Sequence, residues 1–153
     1  MRFDISYIGK VQAQQRSGRR IVHTKDGREF IGSYDPKKSR DFKATLHLLA
    51  QTELIAEGKR TIECSCVMTI HYFVPIPKSF SNKKRQQALE GRIRPTNKPD
   101  VDNLAKSVMD AFTGVLYADD RLVVQLTVFK FYREREGVDV TIQSLDENGR
   151  FEE

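Results

Sequence analysis

No tryptophan occurs in the 153 residues, and only two cysteines, three histidines and five prolines. Cys64 and Cys66 lie two apart in a stretch that reads as a strand, so both side chains should point to one face. A disulfide between them would be strained, and a structural zinc site wants about four ligands, so both are expected as reduced core residues. The histidines fall on three separate predicted elements, His23 on a hairpin, His47 on a helix and His71 on a strand, and none has a ligand's company. No apolar run approaches the roughly 20 residues needed to span a bilayer. Met1-Arg2-Phe3-Asp4 does not open a basic start followed by an apolar stretch and a cleavage site, so a cytoplasmic protein without membrane attachment is expected. Glycine-rich Lys-Ser/Thr, Gly-x-Gly-x-x-Gly and His-Glu-x-x-His patterns are missing too, so NTPase, dinucleotide and zinc-protease chemistry lack their signals and no nucleotide cofactor is expected.

Apolar material is sufficient for a core: 39% of residues are hydrophobic and nine are Phe. The length suits a single domain, and neither an internal repeat nor a low-complexity linker divides it. The net charge of +5 is unevenly spread. Residues 10–43 carry a net +6, residues 78–98 another +6, and the remainder −7. One basic stretch is commonly a solvated loop. Two on a small domain favour a polyanion partner, because clustered Lys and Arg displace counterions from phosphates. The candidates for backbone contact are Arg16, Arg19, Arg20, Lys83, Lys84 and Arg85. Phe80 is the lone aromatic within 78–98, which disfavours a base-stacking platform there.

Residues 2–11 read as a strand, and 19–34 as a hairpin around Lys25-Asp26-Gly27-Arg28. Residues 38–57 place Phe42, Leu46, Leu49 and Ile55 at helical spacing, with Ser39 as the expected cap. A long alternation from Ile62 through Cys64, Cys66, Met68, Ile70 and Tyr72 to Val74 predicts a half-buried strand, ended by Pro75 and Pro77. Residues 81–91 read as either a helix or a loop. Residues 103–112 read as a helix closed by Gly114, and strands follow at 122–129 and 137–142. This order implies one α+β or α/β domain, a mixed sheet with helices packed on it.

The chemically informative segment is Lys98-Pro99-Asp100-Val101-Asp102-Asn103-Leu104-Ala105-Lys106, followed by Asp110 and by Asp119-Asp120. Asp100 and Asp102 alternate at strand period, so both carboxylates can project one way, with Lys106 a turn above Asp102. Two convergent carboxylates suit Mg²⁺, which takes oxygen ligands and keeps several waters. Taken alone, Asp102 reads more readily as a helix cap or as half of a surface pair with Lys106. Residues 113–120, if extended, reach about 26 Å. That exceeds the roughly 15 Å of the helix, so a third carboxylate can return to its start.

Asp-x-Asp-Asn, then Lys106, Asp110, Gly114 and an Asp-Asp pair before an apolar strand resembles the RusA family of Holliday junction resolvases. The match is sharp over 98–124. It is weaker over 10–43, where Tyr34-Asp35-Pro36 to Phe42 is similar to the family's Gram-positive branch. The resemblance implies Asp100, Asp102 and Asp120 as metal-binding carboxylates, Lys106 as the functional lysine, and Asp119 and Asn103 as neighbouring motif positions. It further implies a homodimer, often prophage-encoded, that uses Mg²⁺ or Mn²⁺ to place paired nicks in four-way DNA junctions during recombination and repair. The rival readings are a non-catalytic nucleic-acid-binding module and a metal-dependent nuclease without junction preference.

Overall fold

The computed structural model describes residues 1–15, 17–34 and 36–151. Its elements are β1 (Arg2–Ile8), β2 (Gly18–His23), β3 (Glu29–Tyr34), α1 (Lys37–Ala56), β4 (Cys66–Pro75), α2 (Asn82–Leu89), α3 (Val101–Phe112), β5 (Val123–Arg133) and β6 (Gly137–Ser144). A four-stranded sheet has the order β1-β6-β4-β5, and β2 and β3 form a separate two-stranded sheet. β1 and β4 pair antiparallel to β6, whereas β4 and β5 pair parallel. Parallel neighbours need a long crossover, and here it contains α2 and α3, which carries the informative acidic segment to the sheet. The domain is a mixed-sheet α+β fold. Among the described residues, no helix is long and apolar enough to cross a membrane.

One sheet face is the core face: Phe3 and Ile5, Val138, Val140 and Ile142, and Met68, Ile70 and Tyr72 are all buried on it. α1 covers it with Phe42, Leu46 and Ala50, and α3 with Leu104, Val108, Ala111 and Phe112. The opposite face carries His71, Phe73, Phe129 and Phe131, whose rings lie against one another. Arg133 and Arg94 sit over Phe73 and Phe131 at 3.8 and 3.6 Å.

Several local expectations are corrected. Ser39 does not cap α1: Pro36 occupies the cap position, and Ser39 lies buried within the first turn. The buried stripe runs 39, 42, 46 and 50, so Ile55 falls off it and is 77% exposed, while Leu54 packs against the core instead. β4 begins only at Cys66, with a register irregularity between Cys66 and Val67. The chain bends at Cys64, which is exposed, and only Cys66 is a core thiol. Burial pushes the Cys66 thiol up to about 11, with the neighbouring Cys64 adding to the effect. Residues 81–91 resolve into a short helix, α2, capped by the Ser81 hydroxyl, which accepts from the Lys84 N–H.

Candidate active site

α3 forms because Leu104, Ala105, Val108, Ala111 and Phe112 recur on one face and bury it. The outer face then carries Asp102, Lys106 and Asp110 at four-residue spacing, all exposed. The helix starts two residues earlier than its periodicity predicts. Asp100 is therefore the N-cap, in extended geometry, and Asp102 lies in the first turn, so the expected strand-like alternation of the two is not formed.

Neither structural role expected for these residues is filled. Asp100 makes no side-chain cap bond. Asp102 and Lys106 do not pair, although Asp110 does bind Lys43 of α1 at 2.9 Å. Asp100, Asp102, Asp120, Lys106 and the Asn103 side chain hold no hydrogen-bond or ionic partner among the described residues. The helix start thus offers two unengaged carboxylates beside first-turn N–H groups that lack intrahelical partners and that favour an anion.

The loop that delivers Asp100 is pinned from β5: the Lys130 ammonium donates to the carbonyls of Asn97 and of Pro99, the latter at 2.9 Å. The facing wall is the strap Lys10–Gln15. Glu136 accepts the Gly9 N–H on its carbonyl and the Val11 N–H on its carboxylate, each at 2.9 Å. That carboxylate also accepts the Tyr72 hydroxyl at 3.3 Å. Burial and the Glu136 charge push the Tyr72 phenol far above its ordinary range, so it stays protonated and remains a donor. Further along, the Gln14 N–H donates to the Asn103 carbonyl and the Ser107 hydroxyl to the Gln12 carbonyl, both at 2.9 Å. Strap, helix start and loop enclose a cleft of about 520 Å³ lined by Lys10, Gln12, Gln14, Tyr72, Lys98, Asp100, Asn103 and Glu136.

The return segment departs from the extended path. Gly114, at φ +80°, turns the chain so that its N–H donates to the Tyr117 carbonyl. Tyr117 is fully buried, and its hydroxyl donates to the Met109 carbonyl at 2.9 Å. Tyr117 and Phe112 are both core residues. The Ala118 N–H then donates to the Ile62 carbonyl, and a short 3-10 turn spans Asp120–Leu122. Asp119 caps that turn, accepting the Arg121 N–H at 3.0 Å, which leaves Asp120 as the unengaged member of the pair. Burial holds the Tyr117 phenol well above its ordinary range, and the Asp120 and Asp110 carboxylates push it the same way. Met109 stands nine residues beyond Asp100, roughly 13 Å along the helix. Among the described residues, no three His, Cys, Asp or Glu side chains are gathered closely enough to hold a metal ion.

The basic stretches are partly neutralised by the fold. Arg85 pairs with Glu134, Arg92 with Glu90, and Lys84 lies over the Phe80 ring at 4.2 Å. Among the described residues, Lys83, Arg19 and Arg20 have no carboxylate partner, and Arg20 reaches over the Tyr34 ring. Arg16 lies outside the described residues.

Comparison with known proteins settles the family. The sequence model of the endodeoxyribonuclease RusA family matches residues 9–143, most of the chain. The chain belongs to the RusA family of endodeoxyribonucleases. A similar protein, the uncharacterized YqaN of Bacillus subtilis (strain 168), is 42% identical over 116 residues, covering 72% of this chain and 78% of its own length. Lys130, Glu136 and Tyr72 escape a sequence reading because each acts through the tertiary fold. The available signal was Lys130 within an otherwise apolar and aromatic strand run.

Proposed function

We propose that this RusA-family nuclease is a structure-selective resolvase that nicks four-way DNA junctions, with Asp100, Asp102 and Asp120 as its essential carboxylates. The supporting observation is that, among the described residues, these three and Lys106 stand without side-chain partners, whereas Asp110 is paired and Asp119 serves as a cap. The donor set fits a hard divalent cation, since Mg²⁺ is commonly held by one or two carboxylates plus substrate phosphate. Asp100 and Asp102 would hold it, Mg²⁺ or Mn²⁺, and Asp120 would be the third carboxylate of the set. When bound, the ion neutralises phosphate charge and makes water a stronger nucleophile.

The remaining roles belong to the protein. The α3 start orients the scissile phosphate through its first-turn N–H groups. Lys106, one turn along the same face, stabilises the charge that develops on the phosphoryl oxygens. The Lys10–Gln15 strap closes the cleft on the opposite side. Lys98 at the cleft and Lys83 on α2 contact neighbouring phosphates, with Lys84 and Arg85 beside them, and Arg16, Arg19 and Arg20 contribute from the other basic stretch. Two copies related by a two-fold axis would present two such sites to the two symmetric strands of a junction. The same reading assigns the protein to recombination and repair in the bacterial cytoplasm, on chromosomal or phage DNA.

The pair Asp119 and Asp120 tests the assignment. Asp120→Asn should abolish cutting of a synthetic junction while leaving binding intact. Asp119→Ala should keep measurable cutting and lower stability by about 1 kcal/mol through the lost cap. Full activity in Asp120→Asn would remove that residue from the site.

A further inference from the structure

Among the described residues, no side chain of β2 or β3 is buried, and neither strand makes sustained contact with an element outside the pair. An isolated two-stranded hairpin is marginal in water and is normally completed by something packed on it. This one leaves Ile21, Phe30 and Ile31 61%, 53% and 71% exposed.

Its two faces differ. Register places Gly18, Arg20, Val22, Phe30, Gly32 and Tyr34 on one side. That side packs on itself: a Cβ at Gly18 would meet the Tyr34 ring at 2.5 Å, and one at Gly32 would meet Val22 at 2.9 Å. Arg20 lies 6.0 Å over the Tyr34 ring. On the other side Ile21 and Ile31 stand directly opposite one another, with Arg19 and Ser33 behind them and the paired His23 and Glu29 ahead. Nothing within the hairpin covers the two isoleucines.

The charge selects the partner. Arg28 lies 3.4 Å from Asp26, and Glu29 pairs with His23, but among the described residues Arg19, Arg20 and Lys25 have no carboxylate. An apolar surface bordered by uncompensated cations matches the base edges and flanking phosphates of a DNA groove. The dimensions match as well. The major groove, about 12 Å wide, admits a two-stranded ribbon, and six residues at 3.3 Å make a ribbon of about 20 Å. In the chain the hairpin follows directly on the strap Lys10–Gln15 that lines the cleft with Asp100.

We propose that β2–β3 is a DNA-reading ribbon that enters the major groove of the duplex arm leaving the cleft, with Ile21, Ile31 and Ser33 toward the base edges and Arg19 at a flanking phosphate. This inference rests on the junction-nuclease reading above.

The test compares the full chain with its Ile21→Ser/Ile31→Ser variant, binding four-way junctions with long arms and with arms cut short of the ribbon, without divalent metal. Melting temperature and molar mass in solution are recorded for both proteins. The variant should bind long-arm junctions about tenfold more weakly, as expected for two isoleucines that lose part of their burial. Its melting temperature and mass should be unchanged, and the two proteins should bind short-arm junctions alike. Arg19→Gln, which spares the apolar pair, should flatten the salt dependence on long arms by about one phosphate contact. Equal binding of long arms by parent and double variant overturns the ribbon alone. A fall in molar mass with unchanged DNA affinity also overturns it and assigns the face to a second copy of the chain. A parent that binds no junction overturns the functional reading and the ribbon together.

Discussion

Replacing Glu136 should separate two ways in which a carboxylate can serve this cleft. Its side chain accepts the Val11 N–H at 2.9 Å and the Tyr72 hydroxyl at 3.3 Å, and both donors belong to buried residues. Glu136→Ala leaves both unsatisfied. An orphaned buried donor costs about 1–3 kcal/mol, so the pair should cost about 2–6 kcal/mol. For a domain of this size each kcal/mol lowers the melting temperature by about 2–4 °C, which predicts a fall of about 4–24 °C. Glu136→Gln keeps an acceptor oxygen in place and should cost no more than about 1 kcal/mol. The assay is thermal unfolding of parent and both variants, followed by junction cleavage at a temperature where all three are folded. Cleavage should drop for Ala, whose strap is loosened, and persist for Gln. An Ala variant that melts with the parent would refute the clasp. A Gln variant as damaged as Ala would show that negative charge, rather than acceptor geometry, is what Glu136 contributes.

Two other measurements probe the surface charge and the thiols. Lys83→Ala with Lys84→Ala should reduce the slope of log binding constant against log salt by about 1.8 on duplex DNA. Arg85→Ala should change that slope little and instead lower the melting temperature, because Arg85 is paired with Glu134 and docks α2 on the β5–β6 turn. An unchanged slope in the double variant would remove α2 from the DNA path. In the folded protein a chromogenic disulfide reagent should label exposed Cys64 promptly and buried Cys66 only on unfolding. The Cys66 thiol is raised from its ordinary 9.0 to about 11, so the unfolded chain releases that proton first. Stability is therefore fully present below pH 9 and lost as pH rises from there toward 11. Equal labelling of both thiols in the folded state, or flat stability across that interval, would contradict the burial.

Much of this architecture is legible in the sequence where one periodicity runs uninterrupted. β1, the hairpin around Asp26-Gly27, α3 and the last two strands follow from alternation, helical spacing and turn residues. The misreadings occur where a tertiary contact overrides a local signal. Cys64 continues the alternation of β4, but Ile62 is held by backbone pairing with the segment around Tyr117, so the chain bends before the sheet begins. Ser39 is a good capping residue, yet α1 starts two positions before it, which carries Ser39 into the buried stripe. Asp100 and Asp102 were readable as a pair, whereas their environment was not. The strap clasped by Glu136 and the loop pinned by Lys130 come from segments more than 30 residues away from the site residues they position. The path of residues 113–120 was open on reach alone. What closes it is the Tyr117 hydroxyl, which finds its acceptor at Met109 and folds the chain back onto the last turn of α3.

The central claim is that the unengaged carboxylates at the start of α3 carry out metal-dependent cutting of branched DNA. It is tested most directly by incubating the parent chain and Asp102→Asn with a synthetic four-way junction and a matched linear duplex, each in Mg²⁺ and in EDTA. The account predicts paired symmetric nicks in the junction by the parent in Mg²⁺ alone, and none by Asp102→Asn, which still binds the junction. Cutting by Asp102→Asn, or cutting that persists in EDTA, would contradict it.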